Sequence, residues 1–175
     1  DPKCEVLPDG RVVISSRTWG GRYFNIFEYS DIATGAGVWG ETAGSGKRVN
    51  GCTSLENACN GEILIVPAVR KADRKKVHLA LQSVPLGPQR ANVGIYYKEL
   101  PEDCASITPT SFAADWEAPY QVSDTTSAYS TMFRLKNGNI AFYYEEAVTL
   151  DGWGYDMVYK EIPLSVLTSD RYTDK

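Results

Sequence analysis

The stretch from residue 127 to 146, SAYSTMFRLKNGNIAFYYEE, constrains the fold more than any other part of the chain. Polar and apolar residues alternate in it up to Leu135, which is typical of a half-buried strand. Asn137-Gly138 follows, and this pair is a strong signal for a tight hairpin because both residues tolerate a positive φ. A second strand, rich in aromatic residues, is predicted over residues 139–144. The stretch therefore predicts an antiparallel β-hairpin.

The same hairpin pattern recurs twice nearer the start of the chain. Residues 1–17 and 52–70 each read as strand, turn and strand, with Asp9-Gly10 and Asn60-Gly61 at the turns. Further strands are predicted over residues 22–29, 77–83, 92–100 and 155–162, and a short helix near the end of the chain. Antiparallel sheets that recur in this way are typical of propeller blades.

The predicted fold is all-β, with about three four-stranded antiparallel blades of a β-propeller over residues 1–175. Propellers close with about four to eight blades, so three blades leave sheet edges open. We therefore expect the chain to be one piece of a larger propeller and incomplete on its own. A small β-sandwich is the alternative.

Charge and cysteine content exclude several classes of function. The net charge of −4 gives no reason to expect nucleic acid or an anionic membrane as a partner, and no apolar run is long enough for a transmembrane helix. The four cysteines have no zinc-site spacing. A Cys52–Cys59 disulfide is conceivable in an exported protein, and the alternative is a set of mostly buried thiols.

Three side chains share one position relative to the predicted turns. Asp1, Cys52 and Tyr129 each stand eight residues before the first residue of their turn. Equal offsets predict equivalent points on equivalent strands. If those strands are innermost, all three side chains face the central axis at one mouth of the propeller, where we expect a ligand site.

Several segments together resemble the bacterial exo-sialidases (neuraminidases), over nearly the whole chain. The resemblance is to the C-terminal half of their six-bladed catalytic propeller. The matching segments are LPDGRVVISSR, which ends at Arg17; GPQRANVGIYY, which contains Arg90; the stretch around Tyr129; the closing strand YDMVYKEIPLSVL; and YSDIATGAGVWG (29–40), which is similar to a degenerate Asp-box turn motif.

The resemblance implies a role for four residues. Tyr129 matches the nucleophilic tyrosine, and Arg17 and Arg90 match two of three arginines that bind the substrate carboxylate. Asp1 stands at the position of the family's base glutamate, 16 residues before Arg17, and is one methylene shorter. The chemistry agrees, because sialic acid bears a carboxylate on its anomeric carbon and a neutral tyrosine avoids like-charge repulsion. Arginine forks suit a carboxylate.

The implied function is removal of terminal sialic acid from glycans, with retention of configuration and without metal or cofactor. A secreted or periplasmic bacterial location is implied as well. The family's first arginine and its general acid belong to the N-terminal half, so we expect the missing half as a partner and no sialidase activity from this chain alone. Two alternatives remain: a sialidase-like binding module without catalysis, and a hydrolase for another sugar acid. Trp116 and Trp153 could line a sugar subsite or pack internally.

Overall fold

The structure is a computed structural model that describes residues 1–147 and 154–174. Strands dominate it. The first group of strands is β1 (Lys3–Val6), β2 (Val12–Thr18), β3 (Gly21–Asp31), β4 (Ala36–Trp39) and β5 (Ala43–Ser45). The second is β6 (Ile63–Arg70), β7 (Lys76–Pro85), β8 (Val93–Glu99) and β9 (Tyr120–Gln121). The third is β10 (Ser127–Arg134), β11 (Ile140–Glu146), β12 (Asp156–Ile162) and β13 (Tyr172–Thr173). The helices are α1 (Pro109–Ala113) and α2 (Leu164–Leu167), with 3₁₀ turns at Lys47–Val49 and Cys104–Ser106.

These strands form three antiparallel sheets. The first has the order β1-β2-β3-β4, with β5 also paired to β3. The middle sheet has the order β13-β6-β7-β8-β9, and the third has the order β10-β11-β12. The predicted all-β fold with three blade-like sheets is confirmed. The strand numbers differ from four because β5 and β13 are added to the first two sheets and the third sheet has three described strands.

Two of the three predicted hairpins are present. Gly10 and Gly138 have φ values of +93° and +86°, which glycine adopts without steric cost. In the second of these turns, the Leu135 amide donates to the Asn139 carbonyl at 2.8 Å. β10 and β11 then pair in register from Arg134 opposite Ile140. Turn chemistry therefore predicted both hairpins correctly.

The third predicted hairpin, over residues 52–70, is wrong in its first half. Residues 52–62 contain only an isolated bridge, between Ser54 and Gly20, and β6 begins at Ile63. Gly61 has a different reason for being glycine. A Cβ on it would lie 1.8 Å from the Ser83 carbonyl oxygen, so the residue permits close packing against β7 and makes no turn.

The middle sheet is buried on both faces. One core joins it to the first sheet and includes Phe24, Ile63 and Val84. A second core joins it to the third sheet and includes Leu81 and Phe142. Burial on both faces explains why residues 79–85 of β7 are buried without alternation. The three sheets thus stack face to face, as successive blades do.

All four cysteines are free thiols, so the conceivable Cys52–Cys59 disulfide is not formed. Cys52, Cys59 and Cys104 are buried, and burial raises the pKa of each thiol above its usual value. Cys4 is exposed. The thiolate is the reactive form of cysteine. Burial blocks access to the three inner thiols, and their raised pKa lowers the fraction that is ionised.

We therefore expect one thiol of the folded protein to react with Ellman's reagent within minutes, and all four to react in denaturant. A Cys4→Ser variant should show almost no fast reaction. Fast reaction of two or more thiols in the folded wild type would contradict the burial described above.

No helix among the described residues is long and apolar enough to cross a membrane. The longer of the two α-helices has only five residues.

Candidate active site at one end of the sheets

Backbone contacts bring the predicted site segments to the same end of the three sheets. The β2–β3 turn contacts the loop after Cys52 through the Gly20–Ser54 bridge. The next residue of that loop, Leu55, donates to the Leu86 carbonyl at 3.0 Å, in the β7–β8 loop. That loop in turn contacts the start of β10, where the Ser127 amide donates to the Arg90 carbonyl at 3.0 Å. Through the loop after Cys52, these contacts join the turn that follows Arg17, the loop that carries Arg90 and the start of the strand that carries Tyr129.

Tyr129 is exposed and lies beneath an arginine. Its neighbours Ala128 and Ser130 are buried, so the alternation of β10 turns the tyrosine outward, and 37% of the residue is exposed. The Arg90 guanidinium carbon lies 5.2 Å from the centre of the Tyr129 ring. Partial burial acts to lower the pKa of Arg90, but the nearby ionisable Cys59 and Tyr129 outweigh it and raise the pKa. Arg90 is therefore a permanent cation over the tyrosine.

Arg17 and Asp1 form a pair at the same end of the first sheet. Arg17 lies near the end of β2, and its Nη1 is 2.9 Å from Oδ2 of Asp1, which precedes β1. Both side chains are about two-fifths exposed, so the pair contributes little to stability. Within the described residues, no hydrogen bond joins Asp1 to Tyr129. The partner of the Asp1 carboxylate is Arg17.

Glu145 is a site residue that the sequence reasoning missed. Its Oε2 accepts a hydrogen bond of 3.1 Å from the Tyr129 backbone amide. Tyr129 lies in a bulge between Ser127 and Ser130, and bulges re-aim side chains beside sites. A two-residue turn at Asn137-Gly138 would put residue 146 opposite residue 129, so the sequence contains no signal for Glu145. The observed pairing of Ser130 with Tyr144 brings Glu145 beside Tyr129.

Cys59 is a buried residue close enough to both arginines for their charges to act on its thiol. Arg90 and Arg17 both act to lower the pKa of its thiol, although burial dominates and raises it. The Cys59 carbonyl accepts a 2.7 Å hydrogen bond from Nη1 of Arg22, a fully buried arginine on β3. Sequence patterning does not indicate a buried arginine, so this anchor of the loop was also missed.

Cys52 does not belong to the site, and the prediction that it faces a common axis is wrong. It is fully buried in the core, where its amide donates to Ser45 Oγ at 2.9 Å. Its segment is not a strand, so its offset from Asn60-Gly61 has no structural meaning. The equal offset does correspond to similar positions for Asp1 and Tyr129. Asp1 precedes β1, and Tyr129 lies near the start of β10, at the same end of the sheets.

Trp116 and the Asp-box-like segment, the remaining candidates that the structure describes, lie away from the site. Trp116 is 3% exposed and stacks on Phe24 with ring centres 5.8 Å apart, so it packs internally. Trp153 lies outside the described residues. Residues 29–40 form the end of β3 and all of β4, at the opposite end of the first sheet.

The assembled group consists of two exposed arginines, an exposed tyrosine and two carboxylates. The described residues contain no cluster of side chains that could hold a metal ion. Paired arginines beside a tyrosine can bind a carboxylate and direct a hydroxyl at the atom next to it. Comparison of the chain with protein-family models and with curated protein sequences gives no match in either case.

Proposed function

We propose that this chain forms part of a retaining exo-α-sialidase, with Tyr129 as the nucleophile. The observation that carries the proposal is the exposed Tyr129 ring beneath Arg90, 5.2 Å from its guanidinium carbon. Arg17 comes to the same end of the sheets. The resemblance of the segments around these residues to bacterial exo-sialidases supports the same conclusion.

In the proposed site, Arg90 and Arg17 bind the carboxylate of sialic acid. Arg90 forms no salt bridge with any described residue, so its charge is available to a ligand. Arg17 is paired with Asp1 in an exposed setting, and such pairs exchange partners at little cost. Bidentate contacts from both guanidinium groups would fix the sugar with its anomeric carbon near the tyrosine.

The covalent step follows from this orientation. The Tyr129 hydroxyl attacks the anomeric carbon, its proton passes to a carboxylate, and the bond to the leaving glycan oxygen breaks. A general acid from the other propeller half protonates that oxygen. Water then cleaves the tyrosyl–sugar bond, so two inversions give net retention. Asp1 is the proposed base, while Glu145 holds the Tyr129 backbone through its 3.1 Å hydrogen bond.

An exposed apolar surface on the third sheet supports the proposal that further propeller blades are a partner of this chain. The outward face of the third sheet carries Phe133, Tyr143, Met157 and Tyr159, all of them exposed. The rings of Tyr143 and Tyr159 lie 4.8 Å apart on neighbouring strands. Terminal units of stacked repeats normally have polar outer faces, so this face fits one that another blade covers. The proposed location is secreted or periplasmic, and no metal or cofactor is required.

A sialidase-like binding module is the second candidate. The observation that favours it is the Asp1 carboxylate, which pairs with Arg17 and makes no described contact with Tyr129. A site without a working base would bind a sialoside and leave it intact. Both candidates share carboxylate binding, so binding is the first property to test.

We expect the chain to bind 2-deoxy-2,3-didehydro-N-acetylneuraminic acid, measured by calorimetry or saturation-transfer NMR. Arg90→Ala should weaken binding at least about tenfold, because a charge-assisted hydrogen bond is lost. Arg90→Lys should recover only part of the affinity, since lysine lacks the planar fork.

Two controls accompany this measurement. The methyl ester of the same analogue should bind poorly to the wild type, and Lys136→Gln, at the far hairpin turn, should leave affinity unchanged. Equal binding of acid and ester, or no effect of Arg90→Ala, would rule out the carboxylate site.

A further inference from the structure

A pocket of about 370 Å³ lies on the first sheet, next to the end of β2 that carries Arg17. Its lining comes from the β2–β3 turn and from residues 44–49, which include the end of β5. Ser45 of β5 pairs with Arg22 near the start of β3, so the pocket opens at the same end of the sheet as Arg17. Because β5 pairs with β3 and β1 pairs with β2, the pocket lies farther from Asp1 than Arg17 does.

Trp19 is the most unusual residue of this pocket. It is 73% exposed, although burial of a tryptophan is strongly favourable. The turn that carries it is held in place, because the Gly20 amide donates to the Asn57 carbonyl at 2.9 Å and the Gly20 carbonyl accepts from Ser54. An anchored turn thus presents a large aromatic face at the pocket, where a ligand can pack on it.

The charge of the pocket is positive. Lys47 and Arg48 line it, are exposed, and form no salt bridge with any described residue. No acidic residue lines the pocket. Arg22 contributes to the lining, and its Nη2 is buried without a hydrogen-bond partner. Positive charge therefore accumulates around the exposed indole without compensation inside the pocket.

An anionic sugar fits this combination of groups. The apolar face of a sugar ring packs on an exposed indole, and a sulfate or carboxylate accepts hydrogen bonds from lysine and arginine. A long polyanion fits less well, because the chain has a net charge of −4 and the pocket offers few cations. The pocket lies at the same end of the sheets as Tyr129 and is linked to it through the Gly20–Ser54 and Leu55–Leu86 contacts.

We propose that the pocket formed by Trp19, Lys47 and Arg48 binds a second acidic residue, sulfated or carboxylated, of the same glycan. The pocket's affinity for an anionic sugar is independent of the chemistry at Tyr129. That the pocket and the Tyr129 site bind one and the same glycan rests on the proposed function. The pocket would then favour glycans that carry a second negative charge over glycans whose only charge is that of the sialic acid.

The test uses lactose 3′-sulfate, which has an anionic group and no sialic acid, titrated into the full chain. Binding is followed through the Trp19 indole NH signal in ¹H–¹⁵N spectra, assigned with Trp19→Phe. We expect the Trp19 signal to shift, and Lys47→Gln/Arg48→Gln to weaken binding about tenfold or more. Trp19→Ala lacks this signal, so its affinity is measured by calorimetry, with a loss of the same size expected. Lys76→Gln/Lys136→Gln removes the same charge at the opposite end of the sheets and should change nothing.

Three results would overturn the proposal. These are equal affinity for lactose and its sulfate, equal losses in the two double-charge variants, and tighter binding of a single-stranded oligonucleotide through the same residues. Arg90→Ala separates the two sites. If it abolishes binding of the didehydro sialic acid analogue and spares the sulfated sugar, both proposals stand. If the analogue does not bind and the sulfated sugar does, the sialidase proposal and the shared glycan fail, and the anionic-sugar pocket stands.

Discussion

Replacing Tyr129 with phenylalanine is expected to lower sialoside turnover at least about a thousandfold, because removal of a covalent nucleophile typically costs that much or more. Affinity for the didehydro sialic acid analogue should stay within about threefold, since Arg90 and Arg17 still hold the carboxylate and the ring remains beneath Arg90. Turnover of a fluorogenic sialoside is the measurement. It is made in the assembled propeller, because the general acid is expected from the other half.

Tyr29→Phe is the matched control for this variant. Tyr29 is also an exposed tyrosine, but it lies near the end of β3, at the end of the first sheet opposite to the site. Its hydroxyl should be dispensable for turnover. Wild-type rates in Tyr129→Phe would remove Tyr129 from the mechanism. Analogue binding in an assembled wild-type protein that never turns over a sialoside would identify the binding module instead.

Arg22→Ala is expected to lower the free energy of unfolding by about 3–5 kcal/mol. The Arg22 side chain is fully buried between the first and middle sheets. Nε donates to Ser15 Oγ at 2.9 Å, and Nη1 donates to the Cys59 carbonyl at 2.7 Å. Ser15 in turn donates to Gln82 Oε1 at 2.6 Å, so the arginine anchors a hydrogen-bond chain that links β3, β2 and β7.

Truncation leaves a cavity and two polar groups without a donor, which is why the expected loss is large. Burial lowers the pKa of Arg22 to about 10, so the side chain is charged at neutral pH and its desolvation already opposes folding. Arg22→Met should therefore cost less than Arg22→Ala, because it fills the space and removes the buried charge.

Urea unfolding measures these differences, with Arg17→Ala as the exposed control, expected to change stability by less than about 1 kcal/mol. An Arg22→Ala variant within about 1 kcal/mol of the wild type would show that the chain of hydrogen bonds is dispensable.

Much of the fold could be predicted from local signals. Asp9-Gly10 and Asn137-Gly138 predicted two hairpins correctly, because a turn with positive φ depends on the residues in it and little else. The same rule applied to Asn60-Gly61 was wrong. Gly61 is required because the Ser83 carbonyl of another strand lies too close for a side chain. Residue type alone does not distinguish a glycine needed for a turn from a glycine needed for close packing.

The site divides in the same way. The sequence by itself determined that Tyr129 lies in the first strand of the hairpin that turns at Asn137-Gly138. Glu145 was recognised only from its hydrogen bond in the structure. Only the tertiary structure decided that Asp1 pairs with Arg17, that Arg90 lies over Tyr129, and that Arg22 is buried. The physical reason is the distance along the chain over which each effect acts. Turn chemistry and strand alternation act over a few residues, whereas charge pairing and burial depend on which sheet faces and loops meet after the chain has folded.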